Sequence, residues 1–174
     1  MHELTYANAV LYKPSGMEVN VDWQPQAATS EDPRVLMFEY MSGPGHILPG
    51  GSVSYGNTTS RRQDAWRVVH EKTGLSEDDM VGQLRQVWVD RRSDCIAVLG
   101  MDAIILVPAM ITRSYFAAEV KAGSDIDPTM FRDPEAGLKT HRWMRLTHAV
   151  GCASVKAQQD ALVYIRERSL LTRR

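Results

Sequence analysis

One stretch of helical periodicity, set among strand-forming runs, restricts this chain more than any other feature. Between Thr59 and Thr73, Ala65, Val68, Val69 and Lys72 recur at three- and four-residue steps while Arg61, Arg62 and Gln63 cover another side, the pattern of a helix with one buried stripe. Thr58, Thr59 or Ser60 can cap its start, and Gly74 is a suitable terminator. Strand formers surround it. Tyr6 to Tyr12 closes at Lys13-Pro14-Ser15-Gly16, Arg34 to Met41 ends at Ser42-Gly43-Pro44-Gly45, and His46 to Leu48 is a short strand before Pro49-Gly50-Gly51. Val81 to Val89 and Cys95 to Val107 read as a hairpin joined at Asp90 to Asp94, followed by strands at Ser114 to Val120 and Lys139 to Leu146. Residues 24 to 33 read as a surface loop, and Gly123 to Gly137 as a long loop and hence a candidate functional one. Ser154 to Leu171 is expected as a second long helix. One helix in mid-chain and one at the end predict a mixed β-sheet with helices packed on its faces, an α+β fold. No repeat, low-complexity tract or internal boundary interrupts the chain, which reads as one domain over residues 1–174.

Composition narrows the partners. The 174 residues are enough to bury a real core, and the hydrophobic share of 44% and charged share of 24% are those of a soluble globular protein. A formal net charge of -1 supplies no broad field for nucleic acid or anionic lipid, so nucleic-acid binding is not expected. The basic C-terminus (Arg166, Arg168, Arg173, Arg174) reads as a solvated helix end that suits its own macrodipole. Cys95 and Cys152 make neither a disulfide framework nor a zinc site, which fits a reduced, cytoplasmic setting. The N-terminus has no basic segment followed by an apolar core, and the longest apolar run, Ala103 to Ile111, is broken by Pro108 and too short to span a bilayer.

The segment Leu48 to Leu75, LPGGSVSYGNTTSRRQDAWRVVHEKTGL, resembles the Nudix box. That motif runs from a glycine through a spaced glutamate to Arg-Glu, an aliphatic, and a Glu-Glu pair before a closing glycine and aliphatic. Pro49, Gly50 and Gly51 match its start; Arg67, Val69, Glu71, Gly74 and Leu75 match its end, with two extra residues between. The resemblance implies a Nudix-like α/β/α sandwich. It also implies a mechanism, in which motif glutamates on one helical face hold magnesium, and the metal clamps a diphosphate and activates water. A glycine turn beside a helix N-terminus would add backbone donors for an anion.

The box is degenerate. Asn57 stands where the first glutamate falls, Val68 follows the arginine, and Lys72 replaces the partner of Glu71. The resemblance makes the positions of Val68 and Lys72 the central metal ligands, and at ~4 Å a screened like charge costs roughly 1–4 kcal/mol. The metal site is therefore expected to be impaired. Any magnesium that is held would fall to Glu71, with Asp64 seven residues earlier on the same face, or to an acid of the long loop (Asp125, Asp127, Asp133, Glu135). Each of these acids has a plainer reading as a solvated side chain.

Glu71 and His46 are the catalytic candidates. His46, just ahead of the glycines, is placed to donate or carry a proton near neutral pH. Gly50, Gly51, Arg67 and Lys72 are the ligand-binding candidates, although Arg67 also suits a brace between loop and helix. His70 is expected to face solvent, and Trp66 and Trp143 to pack rather than stack on a base. These residues lead to an atypical Nudix-like protein that binds, or slowly converts, a small phosphorylated or polar ligand, nucleotide-derived in the first instance. A homodimer is compatible with the sequence. The competing expectations are a magnesium-dependent pyrophosphohydrolase with relocated ligands, a non-catalytic interaction or RNA-binding subunit, and an enzyme acting on a non-phosphate substrate.

Overall fold

The structure is a computed structural model, and it describes residues 2–14, 32–40, 45–53, 61–127 and 138–171. Its strands are β1 (His2–Lys13), β2 (Arg34–Tyr40), β3 (His46–Ile47), β4 (Gly50–Ser52), β5 (Met80–Leu99), β6 (Ile104–Val120) and β7 (Leu138–Arg145). The helices are α1 (Arg61–Thr73), α2 (Leu146–Cys152) and α3 (Lys156–Glu167), with a short 3-10 turn at Glu77–Asp79.

Among the described residues the strands form one mixed sheet in the order β3-β2-β1-β6-β5, with β4 also on β1 and β7 also on β2. The parallel step is β1 on β6, in continuous register from His2↔Ala109 to Tyr12↔Glu119. The other pairings are antiparallel, including the long β5–β6 hairpin.

Alternation along the central strands gives the sheet two apolar faces. Ala7, Ala9 and Leu11 of β1, Leu36 and Phe38 of β2, and Phe116 and Ala118 of β6 meet Ala65, Val68 and Val69 of α1. The intervening Val10, Val35, Met37, Tyr115 and Ala117 meet Leu146 and Ala149 of α2 and Ala161, Leu162 and Ile165 of α3. One helix on one face and two on the other make the expected α/β/α sandwich. α1 ends at Gly74, whose φ of 73° and N–H bond to His70 O close the helix in the left-handed region open to glycine.

Three local expectations need correction. The charged run Asp90 to Asp94 is not the hairpin turn: β5 passes straight through it, and the chain reverses at residues 100–103, where Gly100 N–H donates to Ala103 O at 2.8 Å. Pro49-Gly50-Gly51 is not a free loop, since Gly50 and Gly51 belong to β4. The C-terminal helix is shorter than expected, Lys156–Glu167 in place of Ser154 to Leu171, and an unexpected helix, α2, precedes it, starting directly where β7 ends. No helix among the described residues is long and apolar enough to cross a membrane.

Candidate ligand-binding site

β4 is where the two halves of the motif come together. It pairs with β1 as Ala7↔Gly51 and Asn8↔Gly50, and Ala9 N–H donates to Pro49 O at 2.8 Å. Both glycines lie at close approaches, tighter at Gly50 than at Gly51. A Cβ at Gly50 would lie 2.4 Å from Asn8 Oδ1 and 3.3 Å from Ala7 O; one at Gly51 would lie 3.2 Å from Val68 Cγ2. The isopropyl group of Val68 therefore fills the space between the glycine strand and α1, and Val68 is buried. The connection 54–60, which carries Asn57 and the capping candidates Thr58, Thr59 and Ser60, lies outside the described residues.

Arg67 ties α1 to this strand. Its Nη2 donates to Ser52 O at 3.0 Å, and its Nη1 donates to Glu71 Oε2 at 3.0 Å. Both side chains are about half exposed, so the ion pair itself contributes only ~0.3–0.5 kcal/mol. Lys72 is half-buried and His70 exposed on the same helix, whereas Asp64 is buried at its first turn.

The two central ligand positions of the motif are an isopropyl group and an ammonium, Glu71 is engaged by a guanidinium, and Asp64 is buried while Glu71 is exposed. Among the described residues no group of three or more His, Cys, Asp or Glu side chains comes together in a way that could hold a metal ion. Of the loop acids that are described, Asp125 is engaged through its carboxylate and Asp127 through its backbone. Asp125 Oδ1 accepts from Trp143 Nε1–H at 3.0 Å, and the backbone N–H of Asp127 donates to Thr73 O at 3.1 Å. Asp133 and Glu135 lie outside the described residues. Trp143 is further occupied by the Lys13 ammonium, 4.9 Å from its ring centre, and Trp66 packs against the α1 core.

On the α3 side of β4 the chemistry differs. Gln158 of α3 accepts from Leu48 N–H at 2.8 Å and donates to Asn8 Oδ1 at 3.4 Å, which ties α3 to the glycine strand through two buried amides. His46 stands on β3, its carbonyl accepting from Ser154 N–H at 2.9 Å, while its Nε2 is buried without a hydrogen-bond partner. Asn8, Tyr115 and Trp88 sit in one row across β1, β6 and β5, and each leaves one buried polar atom unbonded: Nδ2, the hydroxyl and Nε1. Burial pushes the Tyr115 hydroxyl well above its ordinary pKa, so it is a neutral donor. Two residues further along the same strands Asp90 pairs with Arg113, 3.7 Å apart. Arg92 joins Asp90 at 2.6 Å to Asp160 of α3 at 2.7 Å. Sequence reasoning missed Asn8, Gln158 and Tyr115. The available signal was an amide inside an apolar strand (YANAVLY) and another on the buried face of a helix.

A mixed sheet between one helix and a helix pair, with a glycine strand braced to the single helix by an arginine, defines an α/β/α class shared with known structures. No model of a protein family matches the chain, and no curated protein matches it. Solved structures do. The Ap4A hydrolase of C. elegans is similar at a TM-score of 0.58 and 14% identity over 97% of this chain and 99% of that one. A mutT/nudix family protein from Listeria innocua is similar at 0.56 and 18% over 99% of each. The NUDIX domain of Shewanella oneidensis NrtR, complexed with ADP ribose, is similar at 0.50 and 14% over 97% and 90%. The chain has the Nudix hydrolase fold.

Proposed function

We propose that this chain is an atypical Nudix-fold protein that binds, or converts slowly, a small phosphorylated or polar ligand without a magnesium cage. The observation that carries the reading is Val68. It is buried in the α1 core and packed against Gly51 at the position where the resembled motif places a metal carboxylate. An apolar group there takes away both the charge and the space a hydrated divalent ion requires. The two sides of β4 offer a ligand different groups: along α1 the cations Arg67, already paired with Glu71, and Lys72, and on the α3 side the buried, unbonded Asn8 Nδ2 and His46 Nε2. Such donors suit an anionic or carbonyl-rich molecule. The fold neighbour bound to ADP ribose supports a nucleotide-derived ligand as the first to try.

The test is calorimetry of the full chain with ADP-ribose, nucleoside diphosphates and triphosphates in EDTA, beside phosphate release with magnesium. Saturable binding in EDTA, weakened about tenfold or more by His46→Ala, is the expected result. Magnesium-dependent release that Glu71→Gln abolishes would overturn it in favour of a relocated metal site.

A further inference from the structure

The face of the sheet under α3 carries more hydrogen-bond donors than the fold uses. Register sets Asn8, Tyr115 and Trp88 in one row across β1, β6 and β5, with Tyr6, Arg113 and Asp90 two residues further along on the same face. Asn8 is 5% exposed and Tyr115 fully buried. The Asn8 Nδ2, the Tyr115 hydroxyl and the Trp88 Nε1 are all buried without a hydrogen-bond partner. The Trp88 ring reaches across to Tyr164 of α3, with ring centres 4.3 Å apart.

Arg113 is the fourth unmatched donor. Its side chain is only 17% exposed, yet its contacts are Asp90 Oδ2 at 3.7 Å, beyond hydrogen-bonding reach, and the Tyr6 ring at 5.9 Å. Among the described residues its guanidinium donates no hydrogen bond. The neighbouring acids are matched by other cations. Arg92 holds Asp90 at 2.6 Å and Asp160 at 2.7 Å, and Lys156 holds Asp160 at 2.8 Å. The charge of Arg113 is left over. The Tyr115 hydroxyl lies within its field: burial is the main cause of the raised pKa, and the charges of Arg113 and Asp90 come next. Buried polar groups are ordinarily bonded. Water can bond the three neutral donors, but it brings no charge to match a guanidinium.

We propose that this face binds a carboxylate, with Arg113 taking its two oxygens and Asn8, Tyr115 and Trp88 donating to the lone pairs that remain. A carboxylate is planar and accepts a guanidinium in bidentate fashion, and its two oxygens offer about four lone-pair sites in all. Its single negative charge equals the one unmatched positive charge. A phosphate dianion would bring a second charge with no cation to meet it, next to the Asp90 carboxylate, and would be repelled. The inference deepens the proposed function and rests on it, since Asn8 belongs to both: the polar ligand of that site carries a carboxylate.

The test is calorimetry of the full chain with three probes of one shape, benzoate, benzamide and phenyl phosphate, and with ADP-ribose in EDTA beside them. Benzoate is expected to saturate, with benzamide and phenyl phosphate each about tenfold weaker or more. Arg113→Gln should abolish the preference for benzoate over benzamide. Arg113→Lys, which keeps the charge without the fork, should weaken benzoate about tenfold, and Tyr115→Phe about threefold or more. Far-UV circular dichroism and thermal melting show whether each variant is folded, and the preference of the native chain among the probes needs no variant at all. Benzoate that does not saturate, that binds no more tightly than benzamide, or that keeps its affinity in folded Arg113→Gln overturns the inference. So does phenyl phosphate as the tightest probe, since the site would then be a phosphate site. ADP-ribose separates the two failures. Nucleotide binding without benzoate binding removes the carboxylate site alone, and loss of both removes the proposed function with it.

Discussion

Gly50 is held in place by contact, not by backbone conformation. A methyl group there would lie 2.4 Å from Asn8 Oδ1, and Asn8 cannot swing aside without losing its bond to Gln158. Gly50→Ala should lower stability by about 1–3 kcal/mol, the range for overpacked interiors, and Asn8→Ala in the same chain should recover part of the loss. Urea unfolding of the single and double variants checks this; the same loss with and without Asn8 would show that the contact is not the cause. Val68 supports a second prediction. Val68→Glu restores the residue type of the motif but places a carboxylate in the α1 core without a cationic or metal partner. It should cost roughly 3 kcal/mol or more and produce no magnesium-dependent phosphate release. A stable variant that gains such release would mean the position opens onto a metal site after all. The motif could be read from the chain because its residues are close in sequence. The amides that position it could not, since Asn8 and Gln158 are 150 residues apart and meet only through the fold.

Among the elements, α1 follows from helical periodicity, and β1 and β2 from runs of strand formers ended by turn residues, although β1 begins at His2, ahead of the expected Tyr6. The hairpin turn does not, for a physical reason. A polar run such as Asp90 to Asp94 looks like a break, but Asp90 and Arg92 point to one side, toward Arg113 of β6 and Asp160 of α3, and those partners make a charged strand tolerable. α2 is missed because its seven residues, Leu146–Cys152, follow a strand without a break and are too few to show helical periodicity. The 3-10 turn before β5 carries its own prediction. Asp79 Oδ2 accepts from Ser76 N–H at 2.9 Å, and Oδ1 accepts from Ser124 Oγ–H at 2.8 Å. The Ser76 hydrogen bond first, then Ser124, with a smaller part from the Lys121 charge, hold this carboxyl below the ordinary aspartate value. A lowered folded-state pKa gives stability that is complete above the unfolded-state value and is lost as pH falls through the folded one. Asp79→Asn should thus be less stable than the native chain near neutral pH, by no more than about 1 kcal/mol for so accessible a group, and the gap should close in acid. Urea midpoints measured down the carboxylate range decide it. A gap independent of pH would remove the charge from the account.

At the scale of the molecule, two apolar layers share one sheet, and β1, β2 and β6 contribute to both by alternation. Neither layer has a sheet of its own, so neither can lose its strands without exposing the other. One cooperative unfolding transition is therefore predicted. Leu36 lies in the α1 layer and Leu162 in the α3 layer, both fully buried. Truncating either to Ala should cost about 2–5 kcal/mol. The two losses should add to within about 0.5 kcal/mol because the side chains belong to separate core clusters, yet each should shift one common transition. Tryptophan reports on this directly, since Trp66 and Trp143 pack against the α1 layer and Trp88 against the α3 layer. In variants that retain one tryptophan each, the urea curves should superimpose. If Trp66 reports unfolding at a lower denaturant concentration than Trp88, the helix that carries the motif detaches before the sheet melts, and the chain is two units joined by strands rather than one.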